Sequence, residues 1–138
     1  MSGRASAAGE RDAIVHAVRE ACENGNTAAL ALLIDSAATL VADTGEHTPG
    51  SVEGRDRVIP LLCSALDGRD GALVSEHPVN GLTGLVVRRA GTVVCVASFE
   101  IDDAGVRAVW VTLNPGKLAP WNRPDEGNGV TDDTAALS

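Results

Sequence analysis

A chain of 138 residues falls within the size of one domain, and 44% apolar with 22% charged residues is the composition of a folded protein rather than a disordered one. Lys and Arg number 11 against 19 Asp and Glu, a formal charge of −8, which has the wrong sign for tracking a phosphate backbone and excludes nucleic acid as a direct ligand. The start lacks the apolar stretch of a secretory signal and no apolar run approaches the ~20 residues of a membrane span, so a soluble, cytoplasmic chain with no membrane partner is expected.

Residues 1–9 are small and polar and are expected to be flexible, with the folded domain covering 10–122. From Arg11 the apolar positions Ile14, Val15, Val18, Ala21 and Cys22 recur at helical spacing, which predicts an amphipathic helix that stops at Asn24-Gly25. Asn26 or Thr27 can cap a second, short helix through Leu33. A β-compatible run, Ala38 to Ala42, then enters the polar, turn-rich stretch Asp43 to Gly50. After Gly54 the set Val58, Leu61, Leu62, Ala65 and Leu66 predicts a third helix, with Pro60 placed near its first turn, where a missing N–H costs little.

Four β-branched runs follow, Ala72 to His77, Leu82 to Arg89, Thr92 to Ile101 and Val106 to Leu113, with Pro78 marking the end of the first. The breaks between them are short enough for hairpins, which predicts an antiparallel meander joined by the strand near Leu40. The fold class expected is therefore α+β, a curved antiparallel sheet covered by three N-terminal helices. Residues 123–138 show no periodicity and are expected to be a flexible tail. Cys22, Cys63 and Cys95 are dispersed in apolar stretches, as small core residues in a reducing compartment are.

The element order, together with Leu40-Val41-Ala42-Asp43, Val52-Glu53-Gly54-Arg55-Asp56-Arg57-Val58, Val79-Asn80-Gly81, Leu85-Val86-Val87-Arg88-Arg89 and above all Leu113-Asn114-Pro115-Gly116-Lys117-Leu118, resembles the SnoaL-like branch of the nuclear transport factor 2-like superfamily. Within it, these words are most similar to the C-terminal SnoaL-like extension of extracytoplasmic-function sigma factors, whose helical promoter-binding regions this sequence lacks. The resemblance implies a cone-shaped fold, an interior pocket between sheet and helices, and homodimers formed through the sheet's outer face. Its members include polyketide cyclases, isomerases, dehydratases, epoxide hydrolases and non-catalytic domains, so fold alone does not fix function.

Two residues are candidates for acid–base chemistry. Asp43, where the first strand runs out, is similar in position to the base carboxylate of the isomerase members, and desolvation at the mouth of an apolar cavity would raise its pKa. The plain alternative is that Asp43 starts a turn. His77, on the same strand face as Ser75, could carry a second proton, or could be an ordinary surface histidine beside Pro78. His47 in the polar loop could fold over a ligand. On the last strand Trp110 alternates with Ala108 and Thr112, and the resemblance places this face toward the pocket with Asn114 at its rim; an indole there suits a flat ring, and ordinary packing is the alternative. Cys95, Ala97 and Phe99 are expected to face inward and Glu100 outward. The chain has no Tyr, and Ala97 stands where isomerases place an acidic donor, so steroid-isomerase chemistry is disfavoured.

The histidines and cysteines lack metal-ligand spacing, and no nucleophile elbow or nucleotide-binding loop is present, so neither metal nor cofactor is expected. Two functions stay open: a cofactor-free cyclase, isomerase, dehydratase or epoxide hydrolase with Asp43 as general base, and a non-catalytic ligand-sensing or regulatory module. The ligand expected in either case is a small apolar or cyclic organic molecule, and a transcription protein is the alternative partner of the second.

Overall fold

The computed structural model describes residues 3–45, 50–67, 71–79 and 81–122. The elements run α1 (Gly3–Asn24), α2 (Thr27–Leu33), β1 (Ile34–Asp43), β2 (Gly50–Glu53), α3 (Arg55–Ala65), β3 (Leu73–Val79), β4 (Leu82–Arg89), β5 (Thr92–Asp102), β6 (Gly105–Thr112) and α4 (Pro115–Asn122). The six strands form one sheet in the order β2-β1-β6-β5-β4-β3. The meander β3 to β6 is antiparallel as the short breaks require, whereas β1 joins β6 in parallel, Leu40 opposite Val109 and Asp43 opposite Thr112.

Helix α1 begins at Gly3, eight residues before the amphipathic pattern does, so residues 3–9, expected to be flexible, are helical. That stretch carries Ala5, Ala7 and Ala8, strong helix formers that extend the helix without any apolar stripe to announce it. The helix ends as expected: Gly25 takes φ +65°, and the Asn26 and Gly25 N–H groups return to the carbonyls of Ala21 (2.8 Å) and Cys22 (3.3 Å), closing the last turn. The Asn26 side chain then accepts from the Ala29 N–H at 3.1 Å and caps α2. Pro60 is the sixth residue of α3, beyond the first turn, so it leaves the Asp56 carbonyl without a helical donor; both residues are exposed, and water can take that place. Pro78 does not end β3, which continues to Val79 on the edge of the sheet, where a strand tolerates a missing N–H.

Helices α1, α2 and α3 cover one face of the sheet. Val15, Val18, Leu30, Val58 and Leu62 from the helices pack with Leu40, Leu85, Val87, Ala97, Phe99, Val109 and Val111 from the strands, nearly all of them fully buried. Each such aliphatic side chain contributes about 1.5–3 kcal/mol relative to exposure. Helix α4, to which the sequence patterns assign no element, packs on the opposite face, where Leu118 and Trp121 cover Val79, Val86, Val93 and Val96. The tail 123–138 lies outside the described residues, as does the segment 46–49.

Candidate functional site

The sheet's helix-covered face opens, at the end where β1 and β6 finish, into a cavity of about 350 Å³. Its floor is Leu40 and Ala42 of β1, Val87 and Arg89 of β4, Val94 and Cys95 of β5, and Val111 and Leu113; α3 roofs it with Leu61, Ser64 and Ala65. The volume lies at the lower end of small-molecule sites, and the lining follows their pattern of apolar walls with few polar groups. A bulge shapes it. Cys95 pairs with Val87, but Val93 pairs with Arg88, which leaves Val94 unmatched. Val93 thereby packs on the outer face, while Val94 and Cys95 both line the cavity, the re-aiming that an inserted strand residue produces. Burial pushes the Cys95 thiol up to about 12, so it is a neutral wall rather than a nucleophile.

Asp43 does not reach this cavity. Leu40 and Ala42 face the helices, so the alternation of β1 turns Asp43 to the other face. There its carboxylate pairs with Lys117 Nζ at 2.6 Å and accepts from the Gly45 N–H at 3.0 Å and from Asn114 Nδ2 at 3.4 Å. The expected rise in pKa is reversed: the Lys117 ammonium first, then the Gly45 N–H and Asn114, hold the carboxyl below the ordinary aspartate value. Asn114 is also not a rim residue of the cavity. Its Oδ1 accepts from the Gly116 N–H at 3.0 Å, the N-cap bond of α4, with Pro115 at the first helical position. The Asn-Pro-Gly-Lys-Leu phrase is thus a capping motif that fastens α4 to the end of β1.

Trp110 and Thr112 lie on the outer face, opposite to the placement expected. Val109 and Val111 pair with Phe99 and Ala97 in the core, whereas Trp110 pairs with Ser98 and remains 44% exposed. A second bulge explains the pattern: Val106 pairs with Ile101 and Ala108 with Glu100, which frees Arg107 to turn outward and bind Asp102 at 2.8 Å. Phe99 faces inward with Cys95 and Ala97, and Glu100 is exposed, as the alternation predicts; the Phe99 ring belongs to the core and not to the cavity wall. His77 shares the outer face with Ser75, four strands along the sheet from Asp43, roughly 19 Å at the usual inter-strand spacing. Its pKa is lowered by burial and then by Arg88, whose Nη1 lies 3.5 Å from Nε2. The two acid–base candidates are therefore not brought together. His47 lies outside the described residues.

The polar cavity residues that the sequence patterns did not single out are Arg89 and Ser64. Arg89 ends a predicted strand, but the bulge that decides its surroundings has no sequence signature, and Ser64 is one polar position on an amphipathic helix. No group of three His, Cys, Asp or Glu that could hold a metal occurs among the described residues, and no helix there is long and apolar enough to cross a membrane.

No known family model matches the sequence, and no curated protein matches it. Solved structures do. The extracytoplasmic function sigma factor SigJ of Mycobacterium tuberculosis superposes with a TM-score of 0.58 at 20% identity over 78% of this chain; the match spans 43% of SigJ. An NTF2-like protein of unknown function from Mesorhizobium loti gives 0.59 at 14% identity, covering 78% of this chain and 93% of its own. An LEH-like epoxide hydrolase of M. tuberculosis gives 0.50 at 17% identity, covering 78% and 80%. At these identities the likeness is one of architecture, and it agrees with the observed sheet and helix arrangement: the chain has the NTF2-like, SnoaL-like fold.

Proposed function

We propose that this chain is a ligand-binding module that holds one small apolar or cyclic organic molecule between α3 and the sheet, and that it acts by binding rather than by acid–base catalysis. The observation that carries the proposal is the cavity of about 350 Å³ whose described lining is aliphatic apart from Arg89, Ser64 and Cys95. A carboxylate or imidazole is what proton transfer to a bound substrate would need within hydrogen-bond reach. Neither type is among the described lining residues, and Asp43 and His77 sit on the other face. The sigma-factor neighbour makes a regulatory role, with a transcription protein as partner in the cytoplasm, the natural setting for such a module. The outer face around Trp110, which α4 leaves uncovered, suits a homodimer contact.

Native mass spectrometry after gentle purification tests the proposal. Protein carrying a released small molecule of defined mass, in a dimeric assembly, is the expected result. Protein that carries none, and that takes up no apolar probe such as 1-octanol, would overturn the binding reading.

A further inference from the structure

We infer that the occupant of this cavity is an amphiphilic anion, an organic carboxylate whose apolar body lies against Val87, Val111 and Leu113 while the Arg89 guanidinium receives its charged end. The inference rests on the reading of the cavity as a binding site and adds the chemical class of its ligand.

Arg89 is the last residue of β4 and pairs with Thr92 across a two-residue turn in which Ala90 and Gly91 both have positive φ, 52° and 83°. So tight a turn fixes the backbone at the rim, and the strand alternation aims Arg89 to the same side as Val87. Its guanidinium is available. Arg19 is bound to Glu76 and Glu23, Arg55 to the Ala31 and Ile34 carbonyls, Arg88 approaches His77, and Arg107 is bound to Asp102. Arg89, by contrast, has neither a hydrogen bond nor an ion pair among the described residues. A planar fork of donors at the mouth of an aliphatic chamber matches a carboxylate bidentately, and because Arg89 is exposed there it can receive an incoming anion without breaking an internal contact. Ser64, on the α3 side of the same chamber, supplies a hydroxyl donor.

Charge elsewhere agrees with this choice. Among the described residues the lining of the cavity includes no acid that would oppose an anion. A larger groove of about 830 Å³, beside the start of β4, contains the Arg11 guanidinium, whose Nη2 donates to the Thr83 carbonyl at 3.1 Å and whose buried Nη1 is unpartnered among the described residues. That groove is also lined by Glu10, Asp12, Asp102 and Asp103, a field that rejects an anion. The chain's formal charge of −8 repels anions at long range, but salt screens such repulsion beyond about 8 Å, leaving the contact pair to decide.

Isothermal titration of the full chain with octanoate, 1-octanol and octylammonium, three probes of one length and different charge, tests the inference. Octanoate is expected to bind about threefold more tightly than 1-octanol, as an exposed bidentate guanidinium–carboxylate pair allows, with octylammonium weakest. Arg89→Gln should abolish the preference, costing octanoate more affinity than 1-octanol and bringing the two probes level, while Arg89→Lys keeps part of the preference. Because Arg89 has no internal partner, circular dichroism and thermal melting of both variants should match the parent. Equal affinity of the parent for octanoate and 1-octanol, or equal losses for both in Arg89→Gln, would overturn the anion assignment and leave the cavity reading intact. Failure of all three probes to bind would overturn both.

Discussion

Asp43 shows how a residue's position can be legible while its chemistry is not. That a carboxylate ends β1 follows from the sequence pattern, but its partner Lys117 lies on a helix that no periodicity marks, and that partner reverses the expected direction of its pKa. The turn alternative, Asp43 closing on the Gly45 N–H, describes part of what is there. The sign of the pH effect follows from the lowered value. The ion pair stabilises the fold at pH above the unfolded aspartate pKa of about 3.9, and the contribution is lost as the pH falls through the lower folded value. Asp43→Asn should therefore lower the urea midpoint at pH 7 and narrow the difference between the midpoints at pH 7 and pH 3, with 1-octanol affinity unchanged. A variant that instead lost ligand affinity with an unaltered midpoint would return Asp43 to the binding site.

At the scale of elements, alternation along each strand was readable, but the choice between faces was not always. In β6 the more uniformly aliphatic set, Val109, Val111 and then Leu113, takes the helix-covered side, and a bulge turns Arg107, two residues before Val109, out to solvent. Bulges at Val94 and Arg107 leave no trace in composition, yet they decide which residues line the cavity and which meet solvent. Gly84 is another position whose meaning appears only in the assembled sheet. A Cβ there would lie 2.5 Å from the Ala97 carbonyl oxygen and 2.7 Å from Val79 Cγ2, so the glycine lets β3, β4 and β5 approach. Gly84→Ala is expected to cost about 1–3 kcal/mol in equilibrium denaturation. A cost within experimental error would mean that these strands can move apart freely at this point.

For the whole molecule, the order of α1 to α3, β1 and β3 to β6 was legible because each amphipathic helix and each β-branched run is bounded by turn residues, and a sheet of that size needs a helical cover on one side; β2, four residues at the end of the polar stretch, and α4 were not. What was not legible is the division of labour between the two faces. The inner face holds the core and the cavity, and the outer face holds α4, Asp43, His77 and Trp110. The family resemblance placed the indole inside, whereas the burial of aliphatic residues settled the matter in the folded chain. The parallel β1–β6 pair adds to this, since it brings Leu40 and Ala42 beside Val109 and Val111 and so sets one wall of the cavity.

The most direct measurement is a methyl-resolved NMR titration of the intact chain with 1-octanol. Binding in the inner cavity predicts shifts concentrated at Leu40, Leu61, Val87, Val94, Val111 and Leu113, with Val86, Val96 and Leu118 unmoved. Shifts confined to the outer-face set, or no saturable shift at the inner one, would contradict the account.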